Sequence, residues 1–223
     1  MHVWPHTLQE DHLNNFKQYG YIHLQNMIPK FVLDDLRKRS IDLKLKYQDK
    51  EGEPRHNGSG TFWKGLELAS TLDPNLWKYY TADMMYVLSR LYLESEPYLF
   101  NDQVVVKMPG EQFHFDPHFD NQFGPDVQGA LDGKFKTINC CCILTNMPEE
   151  TGPLMCKNTF TGDYDLLPAE AGDIIIIEGN TLHASNENKS DKVRALYACV
   201  YSSKAIGNFD KGYYNEKFKG YDN

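Results

Sequence analysis

Long apolar runs are missing from this chain of 223 residues. A membrane-crossing helix needs about 18 apolar residues in a row. Runs such as Cys140–Leu144 and Ile174–Ile177 have only the length of buried strands, so no membrane partner is expected. The opening Met1-His2-Val3-Trp4-Pro5 lacks a basic stretch followed by an apolar one, and no signal peptide is expected. The closing Gly220-Tyr221-Asp222-Asn223 is not a peroxisomal or reticular address. A C-x-x-C pair is also missing. The five cysteines (Cys140, Cys141, Cys142, Cys156 and Cys199) are odd in number and three are consecutive. That pattern speaks against a disulfide frame or a zinc site, and for reduced, buried thiols in a cytoplasmic protein. Positive charge is scarce, with 23 Lys and Arg against 31 Asp and Glu. The densest basic cluster, Arg37-Lys38-Arg39, sits beside Asp34, Asp35 and Asp42. An acidic chain without a basic patch repels phosphate backbones, so nucleic acid is not expected as a partner.

What is present is the balance of a globular protein, 41% apolar and 24% charged. Thr7-Leu8-Gln9-Glu10 is a capping box and predicts a helix with Leu8, His12, Leu13 and Phe16 inward, closed by Gly20. Tyr21–Leu24 reads as a strand. Pro29 opens a second helix, carried to about Lys46 by Phe31, Val32, Leu36, Ile41 and Leu43. Residues 48–61 have no apolar period and predict a long polar loop, of the kind that is often functional. A further helix is predicted over about Pro74–Leu93. From residue 98 the pattern turns to short β-type runs at 98–108, 113–120, 136–145, 153–157, 164–168, 173–178, 181–185 and 194–202. Many short strands separated by turns indicate a barrel or sandwich. The expected organisation is one domain over 1–223, with a mostly helical layer and polar loop in 1–97, a β-barrel core in 98–205 and a tail in 206–223.

The densest chemistry lies in Phe113-His114-Phe115-Asp116-Pro117-His118-Phe119-Asp120-Asn121, which holds two His-x-Asp units. Strand residues i and i+2 point to one face, so an imidazole and a carboxylate can grip one ion. His183, after the strand Asp173–Glu178 and a Gly179-Asn180 turn, is the best third ligand. Two histidines and one carboxylate on one side leave positions open, the arrangement of non-haem Fe(II) oxygenases. Arg194 follows His183 by eleven residues at the start of an apolar strand. A buried guanidinium calls for an anion, and its planar fork matches a carboxylate. Ser185 shares strand parity with His183 and offers a hydroxyl to the same anion.

Several segments resemble the phytanoyl-CoA dioxygenase family, which includes ectoine hydroxylase. They are Phe16-Lys17-Gln18-Tyr19-Gly20-Tyr21-Ile22, Lys107-Met108-Pro109-Gly110, Gly152-Pro153-Leu154, Ala171-Gly172-Asp173 and Leu182-His183-Ala184-Ser185-Asn186 with Arg194. The resemblance covers most of the chain. It implies a mainly β fold with flanking α-helices, built on a double-stranded β-helix of jelly-roll, cupin-like form. It further implies Fe(II) on His118, Asp120 and His183, 2-oxoglutarate as cosubstrate paired to Arg194 and Ser185, and O2 as oxidant. The family's spacings favour His118/Asp120 over His114/Asp116: the histidine follows the Pro-Gly by eight residues, and Asp120 precedes Gly152 by 32. An aspartate at the ligand position favours hydroxylation over halogenation, with release of succinate and CO2. The family's Pro-Gly-Ser-His is replaced here by Met155-Cys156-Lys157-Asn158-Thr159-Phe160.

Gln103 and Lys107 share parity on one strand and are candidates to reach 2-oxoglutarate or substrate. Arg55, Phe62 and Trp63, in or beside the polar loop, are candidate substrate contacts. The competing readings are a non-catalytic metal-binding sensor on the same barrel, a desaturase or cyclase using the same chemistry, and a cupin-like isomerase without cosubstrate. The clamp at Arg194 argues against the last.

Overall fold

The structure is a computed structural model that describes residues 10–53, 65–76, 83–123 and 126–205. The capping-box residues Thr7 and Leu8, the candidates Arg55, Phe62 and Trp63, and the tail 206–223 lie outside the described residues. Helix α1 (Glu10–Tyr19) buries Phe16 edge-on against Tyr92, with ring centroids 4.8 Å apart. It ends as its sequence implies. Gly20 takes φ 82°, and its N–H reaches the Phe16 carbonyl at 2.9 Å, a left-handed cap that suits glycine. Strand β1 (Tyr21–Leu24) follows.

Helix α2 (Lys30–Tyr47) starts after Pro29 and buries Leu33, Leu36, Ser40 and Leu43, one stripe at helical spacing. Phe31, counted in the apolar period, falls off that stripe and is 67% exposed. Of the helix expected over Pro74–Leu93, Pro74–Leu76 is a 3-10 turn and Asp83–Leu93 is helical. A short helix α3 (Ala69–Leu72) and a 3-10 turn at Pro74–Leu76 precede helix α4 (Asp83–Leu93), and residues 77–82 are outside the description. Strand β2 (Gly65–Glu67) and helix α5 (Val127–Leu131) were not foreseen, being too short to show a period.

The remaining strands fall where the short apolar runs predict them. They are β3 (Tyr98–Lys107), β4 (Phe115–His118), β5 (Thr137–Ile143), β6 (Leu154–Lys157), β7 (Tyr164–Leu167), β8 (Ile174–Glu178), β9 (His183–Ser185) and β10 (Arg194–Ser202). They form a six-stranded sheet, β1-β8-β5-β10-β3-β2, and a four-stranded sheet, β4-β9-β6-β7, with every pairing antiparallel. From β5 onward the chain passes between the two sheets: this is the double-stranded β-helix, or jelly roll.

Side-chain alternation divides the core in two. One face of the large sheet, with Val104, Val106, Cys140, Cys142, Ile174, Ile176, Tyr197 and Cys199, packs in a cluster with α1, α2 and α4. The other face, with Val105, Cys141, Ile143, Ile175, Ile177, Leu196 and Ala198, packs with Leu154, Cys156 and Leu167 of the small sheet. Ile174–Ile177 are each 0% exposed, so this strand is buried on both faces and reads as a continuous apolar run. All five cysteines are free and buried, with the 140–142 run split between the faces. No helix among the described residues is long and apolar enough to cross a membrane.

Candidate active site

Strands β4 and β9 bring the site's side chains together. Phe115 stands opposite Ser185 and His118 opposite His183. Three steps along β4 thus match two along β9, a bulge at Asp116-Pro117 that accommodates a proline. The two imidazole centroids lie 4.3 Å apart. Asp120 is not on the same strand face as His118, as alternation would require. β4 stops at His118, and Asp120 begins a 3-10 turn, Asp120–Phe123, that folds the carboxylate back. Asn121 anchors this turn: its Oδ1 accepts from the Thr137 hydroxyl at 2.6 Å, and its N–H donates to the Gly179 carbonyl at 3.2 Å. Ligand atoms of His118, Asp120 and His183 then lie within 4.8 Å of one another.

The ring orientations suit a metal. His118 Nδ1 lies 2.6 Å from the Asp116 carbonyl, and His183 Nδ1 lies 3.0 Å from the Thr181 carbonyl. A carbonyl only accepts, so each Nδ1 is assigned the hydrogen and each Nε2 keeps its lone pair. Asp120 is divided in the same way. Its Oδ1 lies 3.8 Å from His183 Nε2, while its Oδ2 accepts from the Asn139 amide at 3.0 Å. One oxygen is left for an ion. Two imidazole nitrogens and one carboxylate oxygen on one side fit Fe(II) or a related divalent metal. The other His-x-Asp unit stands apart. His114 Nε2 is 3.3 Å from Asp116 Oδ1 at an exposed rim.

Behind this cluster sit two buried basic side chains. Arg194 opens β10, is 1% exposed, and has no hydrogen-bond partner among the described residues for Nε or Nη2. Burial pushes its guanidinium down to about 10. Unpaired donors on a buried cation are costly unless an anion meets them. Opposite it on β3 is Lys107, 0% exposed, whose Nζ donates to Ser185 Oγ at 2.8 Å and to the Asn186 carbonyl. Burial first, and the Arg194 charge second, push Lys107 down to about 6. Gly152 holds the segment beyond Ser185 in place. At φ 68°, a Cβ there would come 2.2 Å from the Asn186 carbonyl oxygen and 2.6 Å from that of Glu187.

One cavity is lined by His118, Asp120, His183, Ser185, Arg194 and Gln103. Lys107 is not on its wall but lies behind Ser185. Apolar walls come from Val105, Phe115, Leu154, Leu196 and Ala198. Asn139 and Cys141, on the inward face of β5, also line it and were not singled out in the sequence. The available signal was polarity: Thr137 and Asn139 interrupt a strand that is otherwise apolar and wholly buried. Cys141 donates its thiol hydrogen to Asn139 Oδ1 at 3.4 Å, and burial together with Asp120 keeps it protonated.

The family model described as Phytanoyl-CoA dioxygenase matches residues 16–157 and 162–196. No curated protein sequence matches the chain. Solved structures share its fold. The carbocyclase SnoK from nogalamycin biosynthesis, described as non-haem and α-ketoglutarate-dependent, aligns with TM-score 0.72 at 16% identity, over 90% of this chain and 86% of that one. The epimerase SnoN, solved with Fe3+, α-ketoglutarate and nogalamycin RO, aligns with TM-score 0.72 at 16% identity, over 92% and 88%. EctD from S. alaskensis, solved with 2-oxoglutarate and 5-hydroxyectoine, aligns with TM-score 0.71 at 17% identity, over 87% and 76%.

Proposed function

The chain belongs to the phytanoyl-CoA dioxygenase family, and from that premise we propose that it is an Fe(II)- and 2-oxoglutarate-dependent oxygenase that hydroxylates a C–H bond of a small molecule. The observation that carries this reading is Arg194, a buried guanidinium with two unused donors, in the same cavity as a His-Asp-His cluster. A metal-binding sensor or a metal-dependent isomerase without cosubstrate has no use for such a cation.

In this reading His118, Asp120 and His183 hold the iron. Arg194 would hold the distal carboxylate of 2-oxoglutarate through its unpaired Nε and Nη2, and the Ser185 hydroxyl would add a third donor. Gln103, on the cavity wall, is placed to donate to the cosubstrate or the substrate, and Lys107 acts from behind Ser185. When bound, Fe(II) and 2-oxoglutarate supply the capacity to insert one oxygen atom of O2 into an unactivated C–H bond, with succinate and CO2 as the other products. The protein's own work is positional. The Asp116 and Thr181 carbonyls orient the imidazoles, Asn139 turns one oxygen of Asp120 inward, and Leu154, Leu196 and Phe115 exclude water. A second reading, ring closure or epimerisation at the same centre, is supported by the carbocyclase and epimerase that share the fold.

The test is succinate release from 2-oxoglutarate with Fe(II) and O2 across a small-metabolite library. Release is expected to rise with the true substrate and to vanish in His183→Ala and Arg194→Ala. If 2-oxoglutarate neither raises the melting temperature with Mn(II) present nor turns over with any substrate, the reading fails.

A further inference from the structure

Lys107 poses a problem that the ligand set does not solve. Its ammonium group is 0% exposed, and no carboxylate of the described residues pairs with it. Glu111 and Glu187 favour its charged form through space, less than burial and Arg194 oppose it, and both are engaged elsewhere. Glu111 accepts from Lys44 Nζ and from the Met108 N–H, both at 2.7 Å. Glu187 lies at the rim, 4.0 Å from His114. The neighbouring strand presents the Arg194 charge, and β4 and the segment before it present only the rings of Phe115 and Phe113, 5.7 and 5.1 Å from Nζ.

Lys107 meets two polar groups, the Ser185 hydroxyl and the Asn186 carbonyl. The neutral amine can meet both, giving an N–H to the carbonyl and taking the hydroxyl hydrogen on its lone pair. Either form leaves one N–H facing the phenyl rings, so the balance is set by burial beside Arg194 without a carboxylate partner, which favours the neutral form in the absence of a ligand. An anion against Arg194 reverses the balance by cancelling the repulsion and adding attraction in a medium of low dielectric. The protonation state also sets the direction of Ser185. Facing a neutral amine, the hydroxyl can give its hydrogen to the nitrogen lone pair. Facing an ammonium, it can only accept there, and its own hydrogen is free for the ligand.

We propose that Lys107 is a proton-coupled positioning residue: docking of the distal carboxylate of 2-oxoglutarate on Arg194 draws one proton from solvent onto Lys107, which turns the Ser185 hydroxyl toward that carboxylate. The step forms one N–H bond and breaks none in the ligand; the buffer supplies the proton. The titration lies in the direction that burial and the Arg194 charge impose, down to about 6 in the free protein. The inference rests on the reading of the site as a 2-oxoglutarate site.

The experiment is calorimetric titration of the full chain, loaded with Mn(II), with 2-oxoglutarate in buffers of different ionisation heat. Prior metal loading keeps the histidines out of the proton count. Wild type is expected to take up about one proton per ligand near pH 8, and its dissociation constant to rise about tenfold per pH unit above neutrality. Lys107→Met is expected to bind more weakly, without uptake and without the pH slope. Lys107→Gln serves the same purpose if the methionine variant does not fold. Binding by wild type without proton uptake, or uptake unchanged in the variant, overturns the inference and leaves the oxygenase reading standing. Absence of any binding by wild type overturns both.

Discussion

The two sheets of the barrel are built to different standards. In the large sheet β10 and β5 run nine and seven residues with every position buried, and their partners extend the ladder on both sides. In the small sheet β4, β6, β7 and β9 run only three to four residues, and β4 and β7 are partly open to solvent. The large sheet is a packed slab that carries the stability of the fold. The small sheet is a short ladder interrupted by a bulge, and it carries the proposed metal ligands. The proposed anion clamp stands at the boundary, with Arg194 and Lys107 on long strands and Ser185 on a short one. The teaching is a division of labour: strained or costly groups are tolerated because they lean on a slab that does not need them.

That division can be broken at four points. The largest effect is expected from Arg194→Met. Binding of 2-oxoglutarate should weaken by about 2–5 kcal/mol. The ligand-free protein should gain about 1–3 kcal/mol against urea, because an unpaired buried cation is removed. A loss of stability instead would make Arg194 part of the slab. Ile176→Ala tests the opposite side. It should cost about 2–5 kcal/mol in urea unfolding through the cavity it leaves, while the folded fraction keeps its Mn(II) and 2-oxoglutarate affinities. Asn139→Leu sits between the two. It should leave the melting temperature nearly unchanged and lower Co(II) affinity about 10- to 100-fold, with an altered visible spectrum, since Asp120 Oδ2 loses its donor.

The smallest effect is a slope. Lys107 is neutral in the ligand-free fold above about pH 6, whereas the unfolded chain keeps that proton up to the ordinary lysine range. The unfolded state then binds more protons, so stability should rise with pH between about 6 and 8. Above that, buried thiols such as Cys140, pushed up to about 12, pull the other way. Urea unfolding of wild type and Lys107→Met across this range should show the slope in the first and its loss in the second.

The same contrast decides how much could be read in advance. The large sheet was legible because strands buried on both faces, such as Ile174–Ile177 and Cys140–Leu144, stand out as apolar runs. The candidate ligands were legible as residue types, but the reason given for pairing His118 with Asp120 was not the physical one. A bulge and a 3-10 turn bring them together, and neither follows from period-two alternation. Asn139 went unnoticed because its importance lies in a contact to Asp120 from another strand. A single polar residue in an apolar run gives no direction. The apolar spacing of the helical region about Pro74–Leu93 does not distinguish an α-helix from the 3-10 turn that the chain forms at Pro74–Leu76.

The bulge at Asp116-Pro117 has a consequence for how such a barrel changes over generations. Phe115 and His118 are each pinned across β9, while the two side chains between them point into solvent and pair with no rung of the ladder. The backbone carbonyl of Asp116 steadies the ligand, but its side chain does not. Mutation at these two positions therefore alters the exposed rim of β4 with little disturbance to the chemistry beneath. A lineage, or a designer, can vary this rim one residue at a time without first rebuilding the centre.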